Sequence, residues 1–193
     1  GQKGNVMTVK IEGKHFDGKE LLQNLEFKIG GAERYLIIGP NGSGKTTLLN
    51  ILAGIDKDFK GTIVTRSSAK IGYLKQFSSL DPEKTVLEEF DRYTEHDYTL
   101  CRNILSNYLF PTDLIDTKVK YLSYGQQRRL ELAIMLTNKP ELLILDEPTN
   151  HLDIFLREDL ERFLVDQNVA MVIVSHDTYF IDKIKVNHII ELK

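Results

Sequence analysis

Short apolar runs broken by polar turns dominate the first third of the chain, and longer helical periods follow. Residues 1–5 carry no hydrophobic pattern and are read as lying outside the fold. Residues 6–12 alternate, with Val9 and Ile11 apolar, and predict a strand; residues 15–19 read as a turn, followed by Leu21-Leu22 and a second strand around residues 25–29. Gly30-Gly31 then turns the chain into an apolar strand ending at Leu36-Ile37-Ile38, so antiparallel strands precede the first strand–helix unit. The helix beyond it stops at Gly54, and residues 61–65 and 70–74 predict two more strands, the second running out at Gln76. From Thr85 to about Leu136 the period is helical. Thr85 is placed to cap a first helix, with Glu88 at the capping-box position. A second helix spans residues 98–109 and is stopped by Pro111. A third follows Ser123, with Leu130, Ala133, Ile134 and Leu136 on or near one stripe, and ends by Pro140. Residues 142–145 and 170–174 are continuous apolar runs, as in strands buried on both faces of a parallel sheet. A helix over residues 155–165 joins them as a crossover, and a last strand is expected near residues 188–192. The layout predicts one α/β domain: a mixed-sheet core of residues 6–76 and 140–193, with a helical subdomain over residues 77–139.

Composition narrows the function classes. With 41% hydrophobic and 27% charged residues the chain is an ordinary globular sequence, long enough for a full core. Its 25 basic and 28 acidic residues give a net charge of −3, so no overall attraction to nucleic acid is expected, although a local basic patch is not excluded. No apolar run approaches the length of a membrane span and no signal peptide is visible, so a membrane role would need a separate partner chain. Cys101 is the only cysteine, which excludes an intrachain disulfide and favours a reducing compartment. It reads as an inert helix residue rather than a reactive thiol.

The chemistry is concentrated in a few stretches. Gly39-Pro40-Asn41-Gly42-Ser43-Gly44-Lys45-Thr46 follows a buried strand and opens a helix that continues through Thr47, which is the context of a phosphate-binding loop. Glycines let successive backbone N–H groups converge on one anion, and the helix N-terminus adds its partial positive charge. Lys45 would reach the β- and γ-phosphates, and the Thr46 hydroxyl would ligate Mg²⁺. The expected ligand is a nucleoside triphosphate. Residues 142–145 end in Asp146-Glu147, at the strand edge where ligands collect in such sheets. Asp146 would hold Mg²⁺ directly or through water, and Glu147 would act as general base on the attacking water. Ser123, in Leu122-Ser-Tyr-Gly-Gln126, either simply caps its helix or makes a second anion site at that N-terminus.

The phosphate-binding loop, Gln76 at a strand end, Leu122 to Gln126, Asp146-Glu-Pro-Thr-Asn-His-Leu-Asp153 and Ser175-His176-Asp177 occur in the order seen in ATP-binding-cassette (ABC) nucleotide-binding domains. The chain resembles that family over nearly its whole length. The resemblance implies an ATPase with ATP and Mg²⁺ as ligands, on a P-loop α/β core with N-terminal antiparallel strands and a helical subdomain. It implies that Gln76 contacts Mg²⁺ or the attacking water and that His176 hydrogen-bonds the γ-phosphate. It implies too that Asp153 lets paired sites communicate and that Phe16 stacks on adenine, a position where phenylalanine is as often core. Family members close two domains head-to-tail over ATP, so Ser123, Gly125 and Gln126 would face nucleotide held by a second cassette, on the same longer chain or in a homodimer. A single copy would hydrolyse weakly. Tyr124 departs from the family's usual glycine, and its ring must turn away from phosphate.

Asn150 to Asp153, and Ser175 to Asp177 followed by Phe180 and Asp182, are similar to the ABC-F branch, whose members carry two cassettes, lack transmembrane domains and act on the ribosome. The interval from Gln76 to Leu122 is too short for the long arm of that branch, so the chain resembles one cassette, the second, of a longer cytoplasmic protein. Thr178, where many housekeeping members have arginine, leans toward the antibiotic-resistance type. A transporter ATPase, with a docking groove around Phe77 to Phe90, and a nucleotide-gated clamp are the rival readings.

Overall fold

The computed structural model describes residues 4–94, 98–108 and 110–193; residues 1–3 and Leu109, the expected end of the second helix, lie outside that range, whereas Asn5, expected outside the fold, pairs with Gly30. Two long strands open it, β1 (Asn5–Phe16) and β2 (Lys19–Gly30). They are antiparallel and stay paired up to Phe16–Lys19, with register shifts at Asn5/Met7 and Lys14/His15. The turn is therefore only Asp17-Gly18, both with positive φ, the geometry that matches hairpin twist. β4 (Lys60–Thr65) pairs with the other edge of β1, closing a three-stranded antiparallel sheet in the order β2-β1-β4.

The second sheet contains β3 (Arg34–Ile38), β5 (Ile71–Leu74), β6 (Leu142–Asp146), β7 (Ala170–Val174) and β8 (His188–Glu191). Its order is β5-β6-β7-β3-β8, and every pairing is parallel. Antiparallel and parallel pairing are thus segregated into two sheets. All residues of β6 and β7 are buried, as their unbroken apolar runs require.

Alternation on the parallel strands builds a core on each side. Tyr35, Ile37, Leu142, Ile144 and Val172 face the antiparallel sheet's Val9, Ile11 and Ile29, with Leu48, Leu49, Ile51 and Leu52 of α1 (Lys45–Leu52) between them. Leu36, Leu143, Leu145, Met171 and Ile173 face three helices: α4 (Tyr124–Thr137), α5 (Ile154–Val165) and α6 (Thr178–Ile184). α6 had no counterpart in the expected layout. Only Phe180 and Ile184 of its seven residues are buried, too few to print a period.

A third apolar cluster lies wholly within residues 80–134. It joins α2 (Val86–Thr94) and α3 (Tyr98–Asn107) to the far side of α4. Thr85 and Glu88 form the expected reciprocal cap: the Glu88 N–H donates to Thr85 Oγ1 at 3.1 Å and the Thr85 N–H to Glu88 Oε1 at 3.4 Å. Among the described residues between α3 and α4 the helical elements are two short 3₁₀ turns, Thr112–Leu114 and Val119–Tyr121. Cys101 is fully buried there, and burial pushes its thiol up to about 11, which keeps it protonated and unreactive.

Candidate functional site

β3, β6 and β7 end on the same edge of the sheet, and their trailing residues form one rim. A cleft of about 680 Å³ on that rim is lined by Phe16, Asn41, Gly42, Gly44, Lys45, Thr46, Thr47, Gln76, Asp146, Glu147 and His176, with Leu21, Asn150 and Val174 completing it. Residues spread over most of the sequence meet there because parallel pairing puts every strand's C-terminus on one side.

The loop geometry follows from its glycines. Gly42 and Gly44 have φ of 80° and 98°, and Gly44 is the N-cap of α1. Gly39, Pro40 and Ser43 form the underside of the loop rather than its lining. A Cβ on Gly39 would crowd Ser43 Oγ and, at 2.8 Å, the Leu192 carbonyl. The Lys45 ammonium donates to the Gly39 carbonyl at 2.6 Å and the Pro40 carbonyl at 3.0 Å, which places it over the loop and leaves one N–H for an anion. Ser43 Oγ, beneath the loop, is buried without a hydrogen-bond partner among the described residues.

Thr46 and Asp146 meet across the cleft: the Thr46 hydroxyl donates to Asp146 Oδ2 at 2.9 Å. Burial raises the Asp146 pKa, with the Thr46 bond opposing it and the Glu147 charge adding to the rise. No cluster of three or more His, Cys, Asp or Glu side chains able to hold a metal occurs among the described residues. Two hard oxygen donors beside an anion cradle fit Mg²⁺, which takes one or two protein oxygens and completes its shell with phosphate and water.

Glu147 is held in a left-handed conformation, φ 48°, with its N–H bonded to the Val174 carbonyl at 2.8 Å. A non-glycine residue there is strained, and such strain collects at functional sites. Its carboxylate is gripped by His176: the backbone N–H donates to Oε2 at 3.3 Å, and ring Nδ1 meets Oε1 in a short contact. The two residues expected to act on water and γ-phosphate are therefore mutually oriented. Phe16 is 66% exposed at the end of β1 and faces the cleft, not the core.

Ser123, Gly125, Gln126 and Asp153 do not line this cleft. Ser123 caps α4 in a full capping box: Ser123 Oγ accepts from the Gln126 N–H at 3.1 Å, and Gln126 Oε1 accepts from the Ser123 N–H at 2.9 Å. The Ser123 hydroxyl proton stays available to point outward. Gly125 is buried, and a Cβ there would overlap Leu156 Cδ1, so glycine lets α4 and α5 approach. Asp153 caps α5 by accepting from the Phe155 and Leu156 N–H groups, both at 3.0 Å. Asp177 does the same for α6 and also accepts from Thr149 Oγ1 at 3.0 Å. Asn150 in the cleft and Arg128 in the interior were not singled out from the sequence. Both stand inside recognised runs, Asn150 in Asp146 to Asp153 and Arg128 in the Gln-Arg-Arg-Leu that follows Gln126, but nothing local marks Arg128 as buried.

Fold and rim together define a P-loop nucleotide-binding domain with an attached helical cluster. A family model described as ABC transporter matches residues 22–150. The chain is 39% identical over 171 residues to the ribosome protection protein VmlR of Bacillus subtilis (strain 168), covering 88% of this chain and 31% of VmlR. It is 37% identical over 194 residues to ABC transporter F family member 5 of Arabidopsis thaliana, covering 98% of this chain and 28% of that protein. A dimeric post-hydrolysis structure of the ATP-binding cassette MJ0796 bound to ADP and Pi superposes with a TM-score of 0.81. Its sequence is 26% identical, and the match covers 97% of this chain and 94% of that one. The chain belongs to the ABC transporter family. It spans less than a third of the length of these two curated relatives.

Proposed function

We propose that this chain is one cassette, the second, of a longer ABC-F protein of the cytoplasm. It binds ATP with Mg²⁺ and hydrolyses it in a composite site made by head-to-tail pairing with another cassette. On this reading the Lys45 ammonium, the loop N–H groups and the start of α1 hold the phosphates, and Phe16 lies against the adenine. Thr46, Asp146 and Gln76 would hold Mg²⁺, which would neutralise charge on the phosphate oxygens. Glu147 takes the proton of the attacking water, and His176 fixes its carboxylate while donating toward the γ-phosphate. Ser123, Gly125 and Gln126 serve the partner's nucleotide, and Asp153 carries the signal between sites.

The observation that supports pairing is that the capped start of α4 lies outside the cleft that holds the phosphate-binding loop, Gln76, Asp146-Glu147 and His176. One chain alone then lacks the second half of its phosphate clamp. The proposed output is action on the ribosome, as a translation factor or in antibiotic resistance, on the strength of the similarity to a ribosome protection protein. Cosedimentation of the full-length parent with ribosomes, with and without trapped ATP, tests it; ATP-independent or absent binding removes the ribosomal output. The alternative is the ATPase subunit of a membrane transporter, and the exposed Phe77, at 71%, is the observation in its favour. Vesicle-reconstituted transport dependent on a permease would select that reading.

A further inference from the structure

The residue at position 124 is tyrosine, where the family pattern has glycine, and its ring is built into the surrounding structure. Its hydroxyl donates to the Gln76 carbonyl at 3.4 Å. Its face lies 5.8 Å from the Arg128 guanidinium, a cation–π distance, and its edge meets the His151 ring with centroids 6.5 Å apart. Arg128, itself only 1% exposed, donates to the Lys75 carbonyl at 2.7 Å. Two successive carbonyls after β5 are thus held by the first turns of α4. The segment from Lys75 to Leu80 has no helix or strand of its own, so these bonds fix where Gln76 enters the cleft.

We propose that Tyr124 is a positioning residue for Gln76, joining the start of α4 to this chain's own cleft as one unit. The inference rests on the reading of Gln76 as a contact to Mg²⁺ or water and of Ser123 to Gln126 as the surface met by a second cassette. Glycine at 124 would give the Gln76 carbonyl no such donor. With tyrosine, a group engaging Ser123 on the outer side of α4 is felt at Gln76, and occupancy at Gln76 is felt at Ser123 by the same free energy. His151, with φ at 63°, ties the segment after Glu147 into the same joint.

Tyr124→Phe removes the hydroxyl and keeps the ring on Arg128. One readout needs no nucleotide: chymotrypsin cleavage after the exposed Phe77, with the exposed Phe155 and Tyr179 as internal references. Cleavage by opening of the loop tracks the open population. Losing one neutral hydrogen bond should raise the rate at Phe77 about threefold to tenfold, with the references unchanged. The second readout is ATP affinity with and without Mg²⁺. Tyr124→Phe should shrink the Mg²⁺-dependent gain by a similar factor in the natural chain and by nothing in a Gln76→Ala background. Unchanged cleavage at Phe77, or an equal effect in the Gln76→Ala background, overturns the proposal. If the natural chain binds no nucleotide, the proposed function fails, and the cleavage rates alone decide the role of Tyr124.

Discussion

Arg128→Met is the substitution whose outcome follows most directly from burial. The Arg128 and Glu131 side chains are 1% and 9% exposed and 3.0 Å apart, and Arg128 Nε and Nη2 have no hydrogen-bond partner among the described residues. Burial raises the Glu131 pKa, and the Arg128 charge pulls it back. Methionine fills a similar volume but takes away the counter-charge of the buried Glu131 carboxylate, leaving it only the hydrogen bonds from Ser78 and Ser79. Removing one partner of such a pair costs about 3–5 kcal/mol. For a chain of this size that corresponds to a fall in Tm of roughly 10 °C. The pH dependence has a defined sign. The folded pKa of Glu131 lies above the unfolded value near 4.3, so its protonated form is favoured by folding. That contribution is complete below the unfolded pKa and is lost as pH rises through the folded one. Arg128→Met moves the folded value further up, so the deficit should be full at about pH 8 and shrink as pH falls toward about 5. Urea unfolding at both pH values measures it, and Arg128→Met combined with Glu131→Leu should recover most of the loss. A deficit under about 1 kcal/mol, or one equal at both pH values, would refute the argument.

Two further substitutions test backbone claims by thermal unfolding. Gly61→Ala puts a Cβ onto the Lys10 carbonyl at a φ of 139° and should cost about 1–3 kcal/mol, with β4 loosened from β1. Asp153→Ala removes the acceptor for two N–H groups of α5 and should cost about 1 kcal/mol, a fall in Tm of roughly 3 °C, while ATP affinity of the single chain stays the same.

Features legible in the sequence were those whose cause is local. The glycines and Lys45-Thr46 of the loop, the apolar runs ending in Asp146 and Val174, and the caps at Thr85 and Ser123 each act within a few residues. The hairpin at Asp17-Gly18 was locally marked too, but reading residues 15–19 as one turn shortened both strands. The separation of antiparallel from parallel pairing was not legible, because it depends on which distant strands meet. α6 escaped because Asp177, its cap, was read only as part of the chemistry beside His176. The burial of Arg128 could not be read either: its partners are the Lys75 carbonyl across the fold and a glutamate one turn away. Lys45, Thr46, Gln76, Asp146, Glu147 and His176 line one cleft, while Asp153 Oδ1 and Gln126 Oε1 accept in helix caps outside it.

The most direct measurement is single-turnover ATP hydrolysis by the full-length parent carrying Glu147→Gln in this cassette, with ATP affinity measured alongside. A carboxamide keeps the shape and cannot take a proton from water. Affinity should be unchanged and the hydrolytic step at this site should slow about 10²–10⁴-fold. Hydrolysis at the unaltered rate would contradict the placement of Glu147 as the base beside a triphosphate held by Lys45 and Thr46.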